Sequence, residues 1–150
     1  MTTISTYRGA VYPWHCDHMG HMNVMFYVGK FDEATWNLLA AIGMTAKHMD
    51  DAQTGVAGVQ QNITYKRELF AGDVVEIRSY IVSIGERKMS WVHEMLDAAN
   101  GEVCAVCELT AVHLDRLKRR ASPFPPDVRR QAEDLIAGRH PQNRGSSPPQ

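Results

Sequence analysis

A chain of 150 residues with 44% apolar content has the size of one domain around one core, because that length buries roughly 70% of the surface its unfolded form exposes. Its net charge of -1, from 16 Lys and Arg against 17 Asp and Glu, supplies no field for holding a polyanion, so no nucleic-acid partner is expected. No run approaches the ~20 apolar residues that span a bilayer, and the start lacks the basic-then-apolar run of a signal peptide, so a soluble, cytoplasmic protein with no membrane partner is expected.

The first strand is expected over residues 7–14, where Val11 lies among aromatic and small residues and Pro13 ends the ladder by withholding an N–H. A loop rich in His, Met and Gly follows. From Val24 to Ile42 the apolar residues Phe31, Ala34, Leu38 and Ala41 recur at three- and four-residue steps, with Phe26, Tyr27, Leu39 and Ile42 widening the stripe, which predicts an amphipathic helix. Gly43 is its natural C-terminal cap. Thr45 is an acceptable N-cap for a short helix through Asp51.

After Gly55 the period changes from about four to two. Residues 56–68, 73–84, 88–97 and 103–114 read as four antiparallel strands joined by short turns. One strand, one long helix and four more strands predict an α+β layout, a five-stranded antiparallel sheet with the helix laid on one face. Such a sheet leaves its edges uncovered, so at least a dimer is expected.

Cys104 and Cys107 form a C-x-x-C spacing, but inside the run EVCAVCELTAVHL, which reads as a buried strand rather than the exposed helix start that thiol redox chemistry uses. Three residues apart on a strand they are expected to point to opposite faces. They are read as packed cysteines, and with Cys16 they make an odd count that argues against a disulfide framework. The domain is expected to occupy residues 1–121, followed by a short helical extension over 122–138 that opens with the structure-breaking SPFPP. Residues 139–150 have the composition of a disordered tail. The basic run at 118–120 reads as a solvated surface segment, or as a contact for a phosphate.

The densest set of reactive side chains is WHCDHMGHMNVMFY, residues 14–27, between the first strand and the long helix. A helix beginning near Asn23 or Val24 directs its first, unpartnered N–H groups and the positive end of its dipole into this loop, where they could hold an oxyanion. Asp17, a few residues upstream, could attack a polarised carbonyl or draw a proton from water. Gly20 permits a tight turn and close approach of a ligand, and Asn23 can cap the helix; both roles fit a purely structural reading too. His15, Cys16, Asp17, His18 and His21 crowd seven residues, yet H-x-x-H-x-x-H in a loop matches no common zinc spacing, so neither a metal nor a cofactor is expected.

These residues resemble a known family. DHMGHMNVMFYVGKFDEA, residues 17–34, resembles the D-x-x-G-H-x-N-x-x-Y-x-x-x-F-x-x-A signature of hotdog-fold acyl-CoA thioesterases of the 4-hydroxybenzoyl-CoA thioesterase superfamily. Asp17, Gly20, His21, Asn23, Tyr27, Phe31 and Ala34 all fall on it. ITYKRELFAGDVVEIRSYI, residues 63–81, resembles the family's strand, Gly-Asp turn and following strand. The resemblance implies a hotdog fold and hydrolysis of an acyl-CoA thioester, with Asp17 as nucleophile or general base and the N–H at about Val24 as oxyanion donor. It further implies a homodimer or homotetramer with the site at the subunit interface.

Two positions depart from the family's patterns. His15 replaces the first acid of a frequent D-x-D pair, and Met19 stands where plant acyl-carrier-protein thioesterases have Asn. His21 is accordingly expected to position or hydrogen-bond rather than to act as the base. Tyr27 either lines the substrate or packs in the core, as Phe31 and Ala34 do. Arg87 and Lys88, at a strand turn, are candidates for the CoA phosphates, with Lys66 and Arg67 behind them. Met19, Met22, Met25, Phe26 and Trp14 suggest an adaptable apolar pocket. Two alternatives use the same fold: a noncatalytic acyl-CoA-binding protein, and a thioesterase acting on acyl-carrier protein.

Overall fold

The long alternating runs become a sheet and the three- and four-residue stripe becomes the helix it holds. The computed structural model describes residues 1–139. In chain order the elements are β1 (Ile4–Ala10), a 3-10 turn (Pro13–His15), α1 (Val24–Ala41), α2 (Ala46–Ala52), β2 (Thr54–Tyr65), β3 (Val74–Ile84), β4 (Lys88–Asp97), β5 (Val103–Asp115), β6 (Arg120–Ala121) and α3 (Pro126–Ile136). The sheet order is β1-β3-β4-β5-β2, antiparallel at every pairing, with β6 added to β5. This is the α+β hotdog arrangement, a sheet around one long helix, with the two-residue β6 as an element the sequence did not announce.

Phe31, Ala34, Leu38 and Leu39 of α1 are 0% exposed, and each large side chain so buried contributes roughly 1.5–3 kcal/mol. One core group joins Val11, Met22, Tyr27, Phe31 and Ala34 to Val75, Ile77 and Met95 of the sheet. The other joins Leu38, Leu39 and Ile42 to Ile81, Met89, Trp91 and Ala111. The N-terminus of α1 therefore lies where β3 begins and β4 ends, and its C-terminus at the β3–β4 turn. Phe124, Val128, Ala132 and Leu135 belong to that second group, and Thr2 N–H donates to the Leu135 carbonyl at 2.8 Å. The segment after Ser122 is thus packed into the same core. Of the tail anticipated at 139–150, Arg139 bonds to Asp134, and residues 140–150 lie outside the described residues.

Three expectations need correction. β1 starts at Ile4 and ends at Ala10, because Pro13 opens a turn in which His15 N–H donates to the Tyr12 carbonyl and Tyr12 N–H to His15 Nδ1. β2 stops at Tyr65, because the N–H groups of Lys66 and Arg67 both turn to the Cys104 carbonyl, at 2.8 and 3.1 Å. Finally, Cys104 and Cys107 share one core group rather than opposite faces, because the β4–β5 register slips between Met95 and Leu96 and reverses the alternation. Both are free thiols, and burial pushes each up from its ordinary pKa. Among the described residues no helix is long and apolar enough to cross a membrane.

A polar network crosses the core. His93 is 0% exposed; its Nε2 receives the Trp91 indole N–H at 3.0 Å and lies 2.9 Å from Thr35 Oγ1 of α1. Its Nδ1 meets Ser79 Oγ, which is 2.7 Å from Thr6 Oγ1. An indole N–H can only donate, so Nε2 must be an acceptor and the ring proton is assigned to Nδ1. Burial lowers the pKa of His93 to about 4, and the ring is neutral at neutral pH.

Candidate active site

The loop between β1 and α1 is fastened along its length. Val11 N–H donates to the Asp73 carbonyl at 2.8 Å, Gly72 N–H to that of Val11 at 2.8 Å, and Met22 N–H to that of Leu69 at 2.7 Å. Cys16 and Met22 form an isolated β-bridge, and Met22, 1% exposed, anchors the loop in the core. The chain reverses between them with Gly20 N–H bonded to the Asp17 carbonyl. Gly20 sits at φ +84°, in the left-handed region that other residues enter only with strain.

Asn23 joins the loop to the helix. Its Oδ1 accepts Met25 N–H at 2.9 Å as the N-cap, and its Nδ2 donates to Asp17 Oδ2 at 2.8 Å. Asp17 Oδ1 accepts Met19 N–H at 2.8 Å. The Asn23 bond first, then the Met19 bond, holds the Asp17 carboxyl below its ordinary pKa, so it is ionised at neutral pH. Phe26 N–H bonds to the Asn23 carbonyl, and Met25 N–H to its side chain. That leaves Val24 N–H without a partner among the described residues, at the positive end of an 18-residue helix.

Beside that amide runs a groove of ≈ 310 Å³, walled by His21, Met22, Val24 and Tyr27 on one side and by residues 65–68 on the other. Asp17 is not in the wall, but His21, which adds to its stabilisation, is. His21 Nδ1 lies 3.4 Å from the Met22 carbonyl and its Nε2 3.7 Å from Glu68 Oε1. Tyr27 is buried, its ring walls the groove and its hydroxyl donates to the Arg67 carbonyl at 3.2 Å. Burial raises its pKa to about 12. His15, held by Tyr12 N–H, packs its ring 4.6 Å from that of Phe26; burial first, then Lys30, lowers its pKa.

The structure gathers Asp17, Gly20, His21, Asn23, Val24 and Tyr27 at one end of α1 and does not bring Arg87 and Lys88 there. They stand at the β3–β4 turn, at the other end of a helix ~27 Å long. Arg87 instead shares a polar groove with Asp115, Lys118 and Arg120. Lys66 and Arg67 are in the wall beside Val24. Of the apolar set, Met22 is buried, whereas Trp14, Met19 and Met25 are exposed. Tyr65 and Glu68, not singled out from the sequence, also line the groove; reading residues 56–68 as one strand hides the turn after Tyr65 that brings Glu68 beside it. Among the described residues no three of His, Cys, Asp and Glu converge as metal ligands would.

The chain is similar to known proteins over most of its length. The betainyl-CoA thioesterase of Pseudomonas aeruginosa is 25% identical over 132 residues, which cover 88% of this chain and 83% of that protein. A Rhizobium meliloti protein named L-carnitine dehydrogenase/betainyl-CoA thioesterase is 24% identical over 122 residues, 81% of this chain but 24% of its own length. A Staphylococcus aureus protein solved in complex with CoA superposes with a TM-score of 0.86 at 18% identity, covering 94% of this chain and 89% of that one, a likeness of fold. The family model of the thioesterase-like superfamily matches residues 11–132, and the chain belongs to that superfamily.

Proposed function

We propose that the protein hydrolyses an acyl-CoA thioester, with ionised Asp17 as nucleophile or general base and the Val24 amide as oxyanion donor. The observation that carries this is the double bonding of Asn23, which ties the Asp17 carboxylate and the open helix end into one unit. With the thioester oxygen on the Val24 N–H, charge developing on that oxygen meets a fixed donor and the helix dipole, a contribution of about 3 kcal/mol in comparable sites. As nucleophile, an Asp17 oxygen bonds to the carbonyl carbon, the C–S bond breaks and CoA leaves as thiolate, after which water cleaves the anhydride. As base, Asp17 takes a proton from water while the hydroxide adds and the same C–S bond breaks.

The acyl group we favour is the small betainyl group named in the relatives. We also read the active unit as at least a dimer. β2 is an edge strand with Val59 58% exposed, an edge that a second copy can pair with antiparallel. Such pairing carries the partner's Arg87 groove toward this protomer's Val24, where CoA phosphates need cations. The test is release of free thiol from a panel of acyl-CoAs. Asp17→Asn should lower turnover by several orders of magnitude while CoA binding persists, and near-normal turnover would remove Asp17 from the mechanism.

A further inference from the structure

We propose that the groove beside Val24 selects a permanently cationic acyl group, a quaternary ammonium, with Tyr65 supplying ring surface, buried Tyr27 backing it and Glu68 supplying the countercharge. The inference rests on the acyl-CoA hydrolysis proposed above. It assigns specificity to two residues, Tyr65 and Glu68, outside the catalytic set.

Position comes first. With the thioester carbonyl on the Val24 amide, the atoms one or two bonds beyond the carbonyl lie against the walls of the adjoining groove, and its ≈ 310 Å³ suits a compact group.

The chemistry of those walls then discriminates. Tyr27, buried, backs Tyr65 at 5.0 Å between ring centroids and 85° between planes, and Tyr65, 45% exposed, offers the open ring of the groove. A cation within ≈ 6 Å of a ring centroid is attracted to the ring's face. Tyr27 spends its hydroxyl on the Arg67 carbonyl and has no proton left for a neutral polar acyl group. A quaternary ammonium needs none, since it has no N–H and accepts no hydrogen bond.

Charge points the same way. Arg67 is engaged by Glu102, whereas Glu68 has no Lys or Arg partner among the described residues and only the 3.7 Å approach of His21. Glu68 is thus the groove's uncommitted carboxylate. Lys66 is the opposing cation in the wall; its side chain is exposed, and a flexible, strongly hydrated ammonium extends into water at little cost.

The experiment compares betainyl-CoA with 3,3-dimethylbutyryl-CoA, in which a carbon replaces the ammonium nitrogen and shape is kept. Wild-type protein should favour the cationic ester in kcat/KM by about tenfold or more, and Tyr65→Leu and Glu68→Gln should each cut that ratio by about tenfold, within the range of a desolvated cation–π contact. Glu68→Lys should reverse the preference. Both positions are exposed, so these variants keep the core intact. A wild-type ratio near one, or a ratio that none of the variants moves, overturns the inference and leaves thioester hydrolysis standing. Absence of thiol release from these esters and from every other acyl-CoA of the panel overturns both readings.

Discussion

Asn23 holds Asp17 by a 2.8 Å bond from Nδ2 to Oδ2 while its own Oδ1 caps α1, so one amide group serves both the carboxylate and the helix end. The two duties separate under substitution. Aspartate caps helices as well as asparagine does, but it cannot donate to Asp17 and sets a like charge beside it. Asn23→Asp should therefore keep the melting temperature within a few degrees while lowering kcat, and should move the acid limb of the pH-rate profile upward, because the neighbouring charge raises the Asp17 pKa. Asn23→Ala should lose about 1 kcal/mol of stability as well, the usual value of a cap. An unshifted acid limb in Asn23→Asp would show that the bond does not set the ionisation of Asp17.

Val24 occupies the first helical position, where proline is well tolerated because that N–H has no intrahelical partner. The residue before it, Asn23, has φ -72° and ψ 147°, the extended conformation a residue before proline prefers. Val24→Pro should therefore fold normally and remove the N–H of the proposed oxyanion donor, and Val24→Ala, which keeps that N–H, controls for the change of side chain in the groove wall. The kcat of the proline variant should fall by about 10²–10³, the cost of losing such a donor. Circular dichroism checks the fold and thiol release checks the rate; full activity in a folded variant would place the oxyanion elsewhere.

The two ends of α1 were legible because local chemistry decides them: Asn23 supplies a cap, and Gly43, at φ +89°, supplies the left-handed stop. The end of β2 was not legible. Residues 63–66 alternate as a strand does and nothing local marks a stop; what ends the ladder is the Cys104 carbonyl, some forty positions away, taking the N–H of both Lys66 and Arg67. The same non-local bond turns 66–68 toward Val24, so the error in the strand and the omission of Glu68 have one cause. His93 lay in reach of the sequence, since Trp91, His93 and Met95 alternate on one face of β4. A histidine in that phase points inward.

The edge of β2 gives a third prediction. A lysine at Val59 puts a charge on the free edge, a means by which edge strands avoid pairing. Val59→Lys should shift the protein toward monomer in sedimentation velocity, and turnover should fall with the dimer fraction and recover at higher protein concentration. A monomeric wild type that is fully active contradicts the shared site.

Acid stability should be governed by His93 rather than by Asp17. His93 is buried and neutral, with its pKa lowered from 6.5 to about 4; among the described residues its ring bonds to or stacks with Phe31, Thr35, Ser79 and Trp91, none of them charged, and the Cys107 thiol opposite it on β5 is kept protonated by burial. Protonating Nε2 would set its N–H against the Trp91 indole N–H, two donors in one contact. Between pH 6.5 and about 4 the unfolded chain binds this proton and the folded chain does not, so the unfolded state binds more protons and stability rises with pH across that window. The contribution is complete above pH 6.5 and is lost as pH falls toward 4, a change on the order of 3 kcal/mol. His113, lowered in the same direction by burial, adds to the slope. Asp17, whose lowered pKa keeps it ionised until below the ordinary carboxylate range, acts only at more acid pH. Denaturant midpoints measured from pH 7 to 4 should fall steadily in the wild type. In His93→Gln, whose amide oxygen can still accept from Trp91, the curve should start lower and run flatter, and an equally steep curve would assign the acid lability to another group.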